Sequence, residues 1–142
     1  MEKPETNFNF KIDGQKFGLN CVFLKDSLSQ SLGLMFKSYK NAKITAFIFE
    51  PAKKVSLTTW FCSFPILVLY LKKGDLVDFK TIRPGKCNVP ANFEADRIVE
   101  IPLKEHEFEN LNNIEYFGRL VARIPNLEKV KSSSRTKALN TS

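Results

Sequence analysis

The residues of this chain that could act as nucleophile, base or metal ligand are three cysteines, one histidine and fifteen carboxylates. Nucleophilic catalysis needs a thiol or hydroxyl facing a base that a third group holds in place. Cys21 and Cys62 lie in apolar stretches, NCVF and WFCSF, and read as buried structural thiols. Cys87 follows Lys86 in a Pro-bounded loop, where a neighbouring cation can lower a thiol pKa. Its base is missing, because His106, the only histidine, sits among acids in KEHEFE and reads as a solvated surface residue. One histidine and three scattered cysteines also lack the spacing of a zinc site. Glu105, Glu107 and Glu109 alternate with His106 and Phe108, so they cannot share one helical face. No glycine-rich phosphate loop is present. These observations assign no catalytic residue, no metal and no cofactor, and they rank an enzyme below a non-catalytic module.

Two groups of residues suit binding instead. Arg83-Pro84-Gly85-Lys86 places two cations around a turn beside a long loop, an arrangement suited to an anion or carboxylate. Met35, Trp60 and Phe64 are large apolar residues that either pack in the core or line an apolar pocket. A third possibility comes from charge. The net charge is +7, and Lys129, Lys131, Arg135 and Lys137 stand in a polar, Ser/Thr-rich terminal stretch that could contact nucleic-acid phosphates. Such a stretch has too few apolar residues to offset its ordering entropy, so residues 128–142 are expected to be a disordered basic tail.

The elements that must position these residues read as β-rich. TTWFCSFPILVLYLKKGDLVDF is the most apolar stretch, yet it breaks at Lys72-Lys73-Gly74-Asp75, well short of the ~20 apolar residues a membrane span requires. It reads as a buried strand, a tight turn and a half-buried partner strand, with Pro65 near the strand's start. NFNFKI and KFGLNCVFL flank Asp13-Gly14, a hairpin dipeptide. Asp26 and Ser27 can cap a short helix through Leu34. ITAFIFE and VSLTTWF read as strands around a turn at Pro51 to Lys54, DRIVEIPL as a strand, LKEHEFENLNN as a short helix and EYFGRLVARI as a last strand. The expectation is a mainly β fold, a compact antiparallel barrel or jelly-roll-like sandwich with two short helices, over one domain at residues 1–127.

Four motifs in order carry a family resemblance. Gly33-Leu34-Met35-Phe36 follows the first helix, Ala46-Phe47-Ile48-Phe49 lies in a strand, Trp60-Phe61-Cys62-Ser63-Phe64-Pro65-Ile66 opens the apolar run, and Ala95-Asp96-Arg97-Ile98-Val99-Glu100-Ile101-Pro102 forms a later strand. Together, over roughly residues 8 to 124, they resemble the domain-of-unknown-function 192 family, also called uncharacterised protein family 0127, in a divergent archaeal-like form. The resemblance implies a compact β-rich domain and little about activity. It also marks two departures: Leu67 stands where the family usually has Asp, and Arg119 follows Gly118 where it has Gly-Asp.

The reading ranked first is a non-catalytic ligand-binding or interaction module whose partner is an unknown small ligand or protein. Accessory nucleic-acid binding through the tail comes second, and an enzyme with an unrecognised site third. With no membrane span, no apolar leader in MEKPETNFNF and unpaired cysteines, a cytoplasmic location is expected.

Overall fold

The computed structural model describes residues 5–24, 37–115, 117–124 and 127–130. Its first element is a hairpin, β1 (Glu5–Ile12) and β2 (Gln15–Leu24). Asp13 and Gly14 join the strands at φ 52° and 80°, the positive values that a two-residue turn demands. The register pairs Phe8 with Leu19 and Phe10 with Phe17, so the hairpin carries a continuous apolar side.

A single 3-10 turn (Tyr39–Asn41) precedes β3 (Thr45–Lys53). Next come β4 (Ile66–Lys72) and β5 (Asp75–Ile82), joined at Lys73 and Gly74, both at positive φ. Then follow β6 (Ala95–Pro102), helix α1 (Glu105–Asn112), the helical turn α2 (Phe117–Leu120), a 3-10 turn (Val121–Arg123) and the two-residue β7 (Glu128–Lys129). Glu107 secures the start of α1 by accepting the Lys104 backbone N–H at 2.8 Å.

The strands form one seven-stranded sheet in the order β1-β5-β4-β6-β3-β2-β7. Because β1 also pairs with β2, the pairings from β1 through β5, β4, β6, β3 and β2 lead back to β1. Among adjacent strands, β1–β5 and β2–β3 run parallel and the remaining pairs are antiparallel. The β1–β5 seam is short, with Lys11 opposite Asp75 and the Lys11 N–H donating to the Gly74 carbonyl at 2.7 Å.

Apolar clusters cover both faces of the sheet, which explains the unbroken apolar run of β4. Leu67, Leu69 and Leu71 turn to one cluster with Phe10, Phe17 and Leu19 of the hairpin and Phe108 and Leu111 of α1. Ile66, Val68 and Tyr70 turn to the other, with Phe47, Phe64, Ile82 and Ile98, beneath Val55, Leu57 and Val89 of the connecting loops.

Three expected elements differ. VSLTTWF is not a strand: only Leu57 bridges to Val89, and Thr59 bonds to a turn instead of a ladder. The described part of EYFGRLVARI is not a strand either. It is helical, which brings Leu120 and Ile124, four residues apart, into the same cluster as α1. The expected turn at Pro51 to Lys54 is largely occupied by β3, whose register against β6 shifts between Ile48 and Lys53 and so tolerates a proline. The expected helix from Asp26 to Leu34 lies outside the described residues. Glu128 and Lys129, the first residues of the expected tail, pair with β2 at Gly18 and Phe17. Lys131, Arg135 and Lys137 lie outside the described residues.

Candidate functional site

The outer edge of β5 is paired with β1 only at its first residue, so its later half is left to α1. Where helix and strand diverge, they leave an open cleft of about 510 Å³. Phe79, Ile82, Val89, Phe108, Leu111 and Ile114 give it an apolar lining; Lys80, Thr81, Arg83, Lys86 and Asn112 supply the polar groups. The Thr81 hydroxyl donates to Asn112 Oδ1 at 2.9 Å, tying the end of α1 to the strand. The Arg83 guanidinium lies 4.2 Å from the centre of the Phe108 ring and donates to Glu105 Oε1 at 2.8 Å. Both partners of that ion pair are about half exposed, so it orients Arg83 more than it stabilises the fold. The combination of three cations, Lys80, Arg83 and Lys86, with an apolar wall suits a ligand that has an anionic end and an apolar body.

Thr59 sets the position of the basic turn. It is 1% exposed; its hydroxyl donates to the Arg83 carbonyl at 2.6 Å and accepts the Lys86 N–H at 3.0 Å. Its N–H donates to the Lys86 carbonyl and its own carbonyl accepts the Gly85 N–H, each at 2.8 Å. One buried threonine thus satisfies polar groups on Arg83, Gly85 and Lys86, and Gly85 takes a φ of 80° to make the turn.

On the sheet face away from the hairpin core, Glu100 of β6 stands between Val68 of β4 and Thr45 of β3 and is 9% exposed. Burial pushes its carboxyl up to about 7. Burial, then the Glu100 charge, pushes the Cys62 thiol up to about 11, which leaves it inert as a nucleophile near neutral pH. Tyr70 is likewise raised by burial and by Asp78 and Glu100, and among the described residues its buried hydroxyl has no hydrogen-bond partner. A second depression, of about 470 Å³, lies across the open side of β1 and β2. It mixes Glu5, Asn7, Asn20 and Glu128 with Lys40 and Lys43, so neither sign of charge prevails there.

Of the residues singled out from the sequence, Arg83 and Lys86 come together at the cleft. Phe64 is 4% exposed and belongs to the core. Trp60 is separated from it: at 58% exposure it belongs to neither the core nor the cleft. Met35 lies outside the described residues, and Lys129 is in β7, away from the cleft lining. Cys87 and His106 are exposed. Among the described residues, no group of three or more His, Cys, Asp or Glu side chains could hold a metal ion. Sequence reasoning passed over Thr59 and Glu100. The available signals were a hydroxyl pair leading into an apolar run, and an acid sharing a strand face with Ile98.

The architecture defines a mainly β domain built on one seven-stranded sheet. No family model matches the chain, and no curated protein matches it. Among solved structures, it is similar to a protein of unknown function from Novosphingobium aromaticivorans DSM 12444, with a TM-score of 0.58 and 14% identity over 69% of this chain and 73% of that one. It is also similar to a "putative transcription regulator" from Sinorhizobium meliloti 1021, with a TM-score of 0.57 and 14% identity over 72% of this chain and 84% of that one. At that identity the likeness concerns the fold alone. No helix among the described residues is long and apolar enough to cross a membrane.

Proposed function

We propose that this chain is a non-catalytic binding module whose cleft between β5 and α1 takes a small ligand with an anionic group and an apolar body. The observation that carries this reading is the convergence of Arg83 and Lys86 on a cleft walled by Phe79, Phe108, Leu111 and Ile114. Cations at the rim would hold a carboxylate or sulfonate, and the wall would exclude water from the rest of the ligand. The circuit of strand pairings supports a closed barrel as the scaffold, with α1 beside its weakest seam. The four ordered motifs support placing the chain as a divergent, archaeal-like member of the domain-of-unknown-function 192 family. Its three free cysteines favour a cytoplasmic setting.

The test uses anilinonaphthalene sulfonate, a fluorescent anion with an apolar body, displaced by octanoate or by octylamine. Octanoate is expected to displace it and octylamine is not. Arg83→Gln and Lys86→Glu should each weaken octanoate by about 5- to 50-fold, the loss of one charge-assisted contact. Equal displacement by both competitors, or unchanged affinity in both variants, would remove the cleft from consideration.

A further inference from the structure

Residues 54–65 connect β3 to β4, and their loop carries the most exposed large apolar residue of the described chain, Trp60, at 58%, with Phe61 beside it at 47%. Single exposed apolar residues are common on protein surfaces. Two adjacent aromatic rings on a loop that is firmly tied down are a different case. On one side Thr59 is bonded through backbone and hydroxyl to the Arg83–Lys86 turn; on the other the Ser63 hydroxyl donates to the Lys37 carbonyl at 3.1 Å. Lys37 and the Arg83–Lys86 turn therefore lie beside the loop that carries the rings. The cations so placed are Lys37, Arg83 and Lys86, of which Arg83 is paired with Glu105 of α1.

We propose that the Trp60–Phe61 tip docks the protein onto an anionic lipid surface, with the rings entering the boundary between headgroups and acyl chains and the surrounding cations at phosphate level. Tryptophan suits that boundary, since its ring is apolar and its indole N–H can bond to headgroup oxygens. Each Lys or Arg near an anionic leaflet adds to attachment, and apolar insertion combined with several such charges makes it reversible. A stable protein partner would need about 800 Å² from this side, and two half-exposed rings of ~150–250 Å² each supply much less. A nucleic-acid strand would need cations tracking a groove beside stacked bases; here the cations flank the loop that carries the rings.

Trp60 is the chain's one tryptophan, so its emission reports on the tip directly. The full chain is titrated with vesicles of phosphatidylcholine alone and of phosphatidylcholine mixed with phosphatidylserine. The expected result is a blue shift with the mixed vesicles only, reversed by added salt. Co-sedimentation with those vesicles should be lost in the Trp60→Ser/Phe61→Ser variant and weakened several-fold in Lys37→Glu, with thermal midpoints unchanged. Lys37→Glu, at a residue outside the cleft lining, should leave octanoate affinity unchanged, which separates this surface from the cleft. An unshifted emission with the mixed vesicles overturns the proposal whatever the variants do. So does a response to oligothymidylate in place of vesicles, which would reassign the tip to single-stranded nucleic acid.

Discussion

Glu100 shows how one residue can set the pH response of the domain. Its carboxyl titrates near 7 when folded, against 4.5 as its ordinary value, because burial penalises the charged form. Below pH 4.5 the folded and unfolded chains both hold the proton. Between 4.5 and 7 only the folded chain holds it, so stability falls as pH rises through that window. The cost above pH 7 is on the order of 3 kcal/mol for Glu100 alone. Glu100→Gln, neutral at every pH, should therefore be more stable than the parent at pH 8 and no more stable at pH 4. Urea denaturation of both proteins across that range measures the difference, and a constant difference would show that Glu100 keeps an ordinary carboxyl. Alternation in DRIVEIPL was legible, and it placed Glu100 on the Ile98 side of β6. What the strand could not show is that loops and neighbouring strands cover that side as well. Arg83 and Lys86, by contrast, were legible because Pro and Gly between two cations mark an exposed turn wherever the turn sits.

At the scale of elements, the hairpins were readable because Asp13-Gly14 and Lys73-Gly74 specify positive φ locally. The loop at 54–65 was not, since its conformation depends on Arg83, Gly85 and Lys86, more than twenty residues on. VSLTTWF has strand composition, but its polar groups find a turn instead of a neighbouring strand. The described part of EYFGRLVARI likewise takes the helical spacing that buries Leu120 and Ile124 beside α1. Thr59 tests this account. Thr59→Val keeps the shape but leaves the Lys86 N–H and the Arg83 carbonyl without the hydroxyl, which should cost about 1–3 kcal/mol. Hydrogen exchange at the Gly85 and Lys86 amides should accelerate more than exchange in β4. Uniform acceleration across the sheet would mean that Thr59 supports the whole fold rather than the turn.

At the scale of the molecule, β4 is the strand on which both clusters depend: from Ile66 to Leu71 no residue exceeds 1% exposure. Leu69→Asp would place an unpaired charge in the first cluster at a cost of several kcal/mol, against a typical total stability of ~5–15 kcal/mol. The variant is expected to lose its cooperative thermal transition in circular dichroism, and a normal midpoint would refute the placement of Leu69. With the sheet held at β4, the cleft opens where pairing is weakest, between β5 and α1, and the functional reading rests on that coincidence of geometry and charge. The most direct measurement is an amide-resolved NMR titration of the intact chain with octanoate. Saturable shifts centred on residues 79–89 and 105–114, with the β1–β2 hairpin unmoved, are the predicted result. Shifts centred instead on Glu5, Asn7, Asn20 and Tyr39 in the second depression, or no saturable shifts at all, would contradict it.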